Sequence, residues 1–193
     1  MTTPTTTPTG TSTFVIDPTH SVVEFSVKHM MISTVRGRFG DVTGSIVLDA
    51  AQPGRSTAEA EIATASIDTR ADQRDAHLRS PDFFDVERFP AITFRSRRVE
   101  GAARAEGDRF RLTGDLTIRD VTREVTLDVT FEGTGRDPWA GERASFSADR
   151  KLDRRDFGLT WNQALETGGV VVGNEVRIPL EVELVRQPAG VPA

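Results

Sequence analysis

Arg109-Phe110-Arg111-Leu112-Thr113-Gly114-Asp115-Leu116-Thr117-Ile118 is the stretch that decides the fold. Phe110, Leu112, Gly114, Leu116 and Ile118 fall on one side of an extended chain; Arg109, Arg111, Thr113, Asp115 and Thr117 fall on the other. A period of two marks a strand with one buried and one wet face, as antiparallel sheets have. After Arg119-Asp120 the alternation resumes, with Val125, Leu127, Val129 and Phe131 inward against Glu124, Thr126, Asp128 and Thr130. So short a link makes the two strands a hairpin.

The same pattern spreads in both directions along the chain. Val23, Phe25 and Val27 alternate with Glu24, Ser26 and Lys28, and Val42, Gly44, Ile46 and Leu48 with Asp41, Thr43 and Ser45. Ile92 and Phe94 alternate with Thr93, Arg95 and Arg97, and Ala144, Phe146 and Ala148 with Ser145, Ser147 and Asp149. Val176, Ile178, Leu180, Val182 and Leu184 alternate with Arg177, Glu181 and Glu183, and residues 57–67 form a further strand whose small residues blur its register. Helical pattern is confined to residues 71–79, with a second short turn opening at Ser80-Pro81-Asp82. About eight amphipathic strands leave open edges unless the sheet closes, so the expected fold is all-β: an eight-stranded antiparallel barrel with one or two short helices.

The chain of 193 residues is 37% hydrophobic and 27% charged, ordinary for one folded domain. Residues 1–12, rich in Thr and Pro, and 187–193 read as disordered tails around a domain spanning 13–186. The formal charge of −5 argues against a nucleic-acid partner, which needs a concentrated basic face. No cysteine is present, which removes disulfides, thiol catalysis and Cys-based metal sites. The first residues lack a basic segment followed by an apolar one, and no apolar run reaches the roughly 20 residues of a membrane span. The expectation is a cytoplasmic protein without a membrane span.

An eight-stranded barrel either fills its interior with side chains or keeps room for one small ligand. Its inner face here offers Phe25, Val27, Ile46, Phe94, Leu112, Leu127 and Phe146, a lining suited to an apolar chain. Gly44, Ala58, Ala60, Gly114, Ala144 and Ala148 either leave space or mark bends and close strand approaches. A ten-residue strand rises about 33 Å, enough for several isoprene units. Phe83, Phe84 and Phe89 are either a lid or a plug, and Met30, Met31, Ile32, Phe157 and Trp161 are either rim residues or gap fillers.

His20, His29 and His77 are the obvious candidates for chemistry, converging at a barrel mouth with His77 capping it from the helix. Their spacing matches no helical metal motif. Hydrogen bonding within the fold is the leading reading, contact with a ligand headgroup the second. Asp68, Asp72, Asp75, Asp82 and Asp85 read as helix caps and solvated ion pairs with Arg70, Arg74 and Arg79. Arg150, Lys151, Arg154 and Arg155 read as a solvated strand end, the alternative being a pyrophosphate site. No catalytic residue, metal ligand or cofactor is assigned. An enzyme acting on a lipid headgroup through His29, His77 and a carboxylate, and a filled barrel serving as an interaction module, are the alternatives.

Several linked motifs, in order, carry a family resemblance. They are Asp17-Pro18-Thr19-His20-Ser21 with Phe25-Ser26-Val27-Lys28-His29, Val35-Arg36-Gly37-Arg38-Phe39, Ser66-Ile67-Asp68-Thr69, Arg74-Asp75-Ala76-His77-Leu78 and Pro81-Asp82-Phe83-Phe84-Asp85. Phe89-Pro90-Ala91-Ile92-Thr93-Phe94, Leu116-Thr117-Ile118-Arg119, Arg155-Asp156-Phe157-Gly158 and Gly173-Asn174-Glu175-Val176 complete the series. From about Phe14 to Val185 the chain resembles the YceI-like family of polyisoprenoid-binding, lipocalin-like barrels. The resemblance implies an elongated barrel around an isoprenoid tail, such as a polyprenyl chain or isoprenoid quinone, carried without catalysis, often by a homodimer. Phe39, His29 and His77 are counted among the expected ligand contacts beside the lining and rim residues. Asp120 departs from the glycine expected there, and many relatives are exported.

Overall fold

A computed structural model describes residues 10–139, 141–166 and 168–188. The expected tail residues 1–9 and 189–193 lie outside the described residues. The strands are β1 (Thr11–Ile16), β2 (Val22–His29), β3 (Ser33–Phe39), β4 (Val42–Asp49), β5 (Thr57–Ala63) and β6 (Ile67–Asp68). After the helix α1 (Asp72–Arg79) come β7 (Ala91–Glu100), β8 (Arg109–Ile118), β9 (Val121–Arg136), β10 (Glu142–Asp153) and β11 (Val172–Arg186). β1 thus begins inside the stretch expected as tail, and the Gln187 amide donates to the Thr13 carbonyl at 2.8 Å.

Every pairing is antiparallel, and β1-β4-β5-β7-β8-β9-β10-β11 closes on itself through β1–β11. The result is an eight-stranded barrel. β2, β3 and β6 are continuations of staves rather than additional ones. β1 and β2 form one long stave bent at residues 17–21, and β3 and β4 another bent at Gly40-Asp41. Their shared ladder runs from Thr11↔Asp49 to His29↔Ser33. The third bent stave, β5 and β6, breaks at the 3-10 turn Thr64–Ser66, which resolves the blurred register expected over 57–67.

The deciding hairpin stands as the alternation implies, from Arg109↔Thr130 to Ile118↔Val121. Its turn departs from the family pattern at little cost, because Arg119 rather than Asp120 takes the positive φ, at 57°. β1 and β3 are absent from the sequence-based strand set. Their apolar residues, Phe14 with Ile16 and Val35 with Phe39, are too few to establish a period against interrupting Thr, Gly and Arg.

Two inward glycines are close-approach positions, not space-makers. A Cβ on Gly114 would lie 2.4 Å from the Arg95 carbonyl oxygen and 2.6 Å from the Phe94 ring. One on Gly44 would lie 2.3 Å from the Glu59 carbonyl oxygen.

The interior holds two apolar clusters, one towards each rim, and Ile16 touches both. The rim formed by residues 30–32, 119–120, 154–166 and 168–171 is capped by α1. Leu78 and Phe84 from the helical segment pack against the buried cluster that includes Phe39, Ile67, Ile118, Phe157 and Leu159, with Phe84 directly on Phe39. At the opposite rim, Phe110 and Phe131 pack on Phe146, with centroids 6.1 and 5.2 Å apart.

Candidate functional site

The inner surface of the barrel is the candidate site. Strand alternation points Phe94, Leu112, Leu116, Leu127, Ile178 and Leu180 at the barrel axis, yet each is only partly buried. Protein interiors pack to near-crystal density, so axis-facing side chains of a filled barrel are fully covered. These axis-facing apolar groups are thus less completely covered than the buried residues of the two clusters beside them. The belt lies between the two clusters, whose centres are closed: Ile67 and Leu184 are 0% exposed and Phe157 2%.

Most of the expected lining residues do face this interior. Phe25 and Val27 are half-buried on β2, and Phe25 leans on Phe39, which meets Phe84 edge-on at 5.6 Å. Ile46 is half-buried beside the far cluster. Phe146 and Phe157 are fully buried, so they form walls and plug. The Phe83/Trp161 pair is tied to α1: His77 meets Phe83 and Trp161 edge-on at 5.1 and 4.7 Å. Phe83 is buried, while Trp161 keeps a partly open face. Phe89 sits apart from this group, its ring under the guanidinium groups of Arg88 and Arg119. Met30, Met31 and Ile32 are 41, 60 and 83% exposed at the β2–β3 turn, where they fill no gap. Met30 and Met31 both take positive φ there.

The three histidines do not converge. His20 lies in the bend before β2 and His29 at its end, so about 23 Å of strand separates Val22 from His29. His29 and His77 belong to the same rim, since Val172, paired with His29, holds the Asn162 side chain next to Trp161. His77 Nε2 lies 2.8 Å from Asp82 Oδ2, with the His77 side chain partly covered and Asp82 about half exposed.

Asp17, His20 and Glu183 present oxygen and nitrogen atoms close enough to share a cation. Arg143 already fills that role. Its guanidinium donates to Asp17 at 2.7 Å, Glu183 at 2.5 Å and Asp137 at 3.2 Å. The Thr19 hydroxyl, Arg143 and His20 hold the Asp17 carboxyl well below the usual carboxylate range, and these carboxylates push the Arg143 guanidinium up. The cluster is an outer clamp over the first stave's bend.

Asp68 makes an exposed ion pair of the expected kind, though with Arg38, at 3.6 Å, whereas Asp75 and Asp85 are buried. Asp75 accepts from the Thr69 amide at 3.0 Å and hydroxyl at 2.5 Å. The helix N-cap is Ala71, which provides no side-chain bond. Arg79 donates to the carbonyls of Ala65 and Ile67. These bonds dock α1 on the β5–β6 corner.

The expected basic cluster also dissolves. Lys151 pairs with Glu175 at 2.8 Å and Arg155 with Asp153 at 2.6 Å. Arg154 is buried and donates to the carbonyls of Gly173, Leu159 and Val172. Arg150 faces inward. Continuing the alternation of Ala144, Phe146 and Ala148 by one step would have revealed it.

Two clefts are present, one of about 290 Å³ beside Glu132, Arg136, Asp137 and Arg143, the other of about 340 Å³ where Arg109, Asp128, Asp149 and Glu181 meet Ala148, Pro179 and Leu180. No helix among the described residues is long and apolar enough to cross a membrane.

Comparison with known proteins agrees with this architecture. The family model described as YceI-like domain matches residues 14–184. A UPF0312 protein of Pseudomonas paraeruginosa is 39% identical over 168 residues, covering 87% of this chain and 83% of that protein. Among solved structures, Burkholderia cenocepacia BcnA superposes with a TM-score of 0.73 at 24% identity, covering 87% of this chain and 98% of that one. A polyisoprenoid binding domain from Saccharophagus degradans gives 0.69 at 14% identity, covering 90 and 98%. The bent-stave barrel, its helical cap and the match across nearly all of the described residues place one conclusion beyond the fold itself: the chain belongs to the YceI-like family.

Proposed function

We propose that the barrel binds a long isoprenoid chain in its interior, as a carrier or store and without catalysis. The observation that carries this reading is the belt of axis-facing apolar side chains left partly uncovered between two closed ends. The Saccharophagus degradans neighbour, described as a polyisoprenoid binding domain, supports it. Burying some 40 carbons at about 0.8 kcal/mol each would nominally exceed 30 kcal/mol, above the practical ceiling near 20. The free lipid, however, waits in a membrane or aggregate rather than in water, so the net preference is modest. A modest preference is what a carrier that must release its load requires. Homodimer formation and residence in the cytoplasm belong to the same reading.

Native mass spectrometry of gently purified protein tests it. The expected result is an adduct in the mass range of a polyprenyl lipid or isoprenoid quinone, or its uptake when such lipids are offered. A chain that stays ligand-free after that exposure refutes the reading.

A further inference from the structure

The β2–β3 turn combines backbone strain with exposed apolar side chains. Met30 and Met31 take positive φ, 51° and 62°, and the His29 carbonyl accepts from the Ile32 amide at 3.2 Å. Positive φ at both central positions belongs to a type I′ turn, where Asn-Gly is favoured because a longer side chain's Cβ crowds the backbone carbonyl. Large apolar side chains gain nothing from folding there, since Met30, Met31 and Ile32 all lie exposed. Among the described residues these three and Trp139 are the exposed large hydrophobics, so three of the four are consecutive. Such a concentration marks a contact surface rather than scattered surface apolarity.

The turn does not stand alone. The Met30 amide donates to the Val171 carbonyl at 2.8 Å, which seats it beside a second turn closed by the Ala164↔Val170 bridge. Ala164 is exposed and Leu165, Val170 and Val171 are half-buried, so apolar surface runs from one turn onto the other. Charge follows the same geometry. The pairs Lys28↔Thr34 and Ser26↔Arg36 put Lys28 and Arg36 on the outer face of the hairpin, behind its tip. Both are exposed, and neither is ion-paired among the described residues, whereas the neighbouring Arg38, Lys151 and Arg177 are held by Asp68, Glu175 and Asp149. Glu166 is the acid that the second turn carries.

An apolar tip alone suits a protein groove as well as a bilayer; two free cations behind it favour an anionic lipid surface. Interfacial segments sink apolar side chains to the acyl boundary while Lys and Arg stay among the headgroups. We infer that the α1-side rim docks on an anionic phospholipid bilayer, with Met30, Met31 and Ile32 inserted and Lys28 and Arg36 at headgroup level. The net charge of −5 disfavours approach by the rest of the surface, so this rim sets the orientation. The inference does not rest on a chain being held in the barrel.

Co-sedimentation of the full chain with vesicles free of prenyl lipid tests it, comparing phosphatidylcholine alone with phosphatidylcholine mixed with phosphatidylglycerol. Wild type is expected to bind the anionic vesicles about tenfold more tightly, as two cations near the surface imply, with affinity falling as salt rises. Lys28→Gln with Arg36→Gln should remove that preference. Met30→Asn, Met31→Gly and Ile32→Ser together should weaken vesicle binding roughly tenfold or more. This turn variant should melt no lower than wild type, since Asn-Gly suits the turn, which separates lost docking from lost fold. The chain has no cysteine, so a polarity-sensitive dye can be attached at Ile32→Cys or, at the opposite rim, at Trp139→Cys. Vesicles should blue-shift the dye at position 32 and leave the one at 139 unchanged. Wild type that ignores anionic vesicles, a shift at 139 instead, or binding untouched by the turn variant overturns the inference. So does a turn variant that abolishes self-association of a wild type blind to vesicles, which would make the patch an interface between copies. A barrel without a bound chain changes none of these outcomes, so the chain-binding reading stands or falls separately.

Discussion

Replacing Ala148 by phenylalanine separates an open interior from a filled one by the sign of the stability change. Ala148 faces the axis from the middle of β10, opposite Leu180 and close to Val129, and is only partly buried. If the volume beside it is unfilled, the added ring covers apolar surface that water-sized contacts now reach. Full burial of a phenylalanine side chain contributes about 1.5–3 kcal/mol. Ala148 already contributes a methyl, and ordering the ring costs about 0.5–1 kcal/mol, leaving a net gain of about 1 kcal/mol. For a domain of this size that raises the melting temperature by about 2–4 °C. If the interior is packed solid, the same ring must displace neighbours at a cost of about 1–3 kcal/mol, and the melting temperature falls instead. Calorimetry on the ligand-free protein reads the sign directly. The same variant is expected to lose at least tenfold in affinity for a prenyl probe, because the ring crosses the path of the chain. A fall of several degrees, or full retention of probe binding, refutes the reasoning.

Three further outcomes follow from particular contacts. Phe157→Ala removes a ring that is 2% exposed at the helix-side plug and should cost about 3–5 kcal/mol, read from the midpoint of chemical denaturation. Asp17 is held below its ordinary pKa, so its contribution to stability is present above the unfolded carboxylate range near pH 4 and is lost as pH falls through it. Asp17→Asn should therefore melt lower than wild type at neutral pH and lose less of its stability between pH 5 and pH 3; an unchanged acid limb would contradict the clamp. Trp139 is 85% exposed at the far rim, so Trp139→Phe leaves Trp161, packed on His77 and Phe83, as the sole indole reporter. Its emission should shift on prenyl-lipid binding, and a spectrum blind to a bound lipid would place the chain away from the α1 cap.

The extent to which these features can be read from the sequence follows from their physics. The 109–131 hairpin is legible to the residue, because both faces alternate cleanly and the turn is two residues long. The helix is legible to within a residue of its start. The bent staves are harder. Asp17–Ser21 and Gly40-Asp41 interrupt the period, so β1 and β3 carry too little alternation to stand out, although they complete the ladders of β2 and β4. Gly44 and Gly114 look like space inside the barrel until the opposing strand backbone is seen within reach of their missing Cβ atoms. Arg150 is the instructive miss. Charge density around 150–156 suggests a wet strand end, yet the period of two continues through it and turns one of its four basic side chains inward. The Asp17–Arg143–Glu183 clamp joins residues 126 and 40 positions apart and leaves no local signal.

A crystal structure of the protein saturated with geranylgeranyl phosphate tests the central claim most directly. The account predicts continuous density along the barrel axis, flanked by Leu112, Leu127, Ile178 and Leu180. Density confined to the outer clefts or the exposed Met30–Ile32 turn, above an interior whose side chains mesh without a gap, would contradict it.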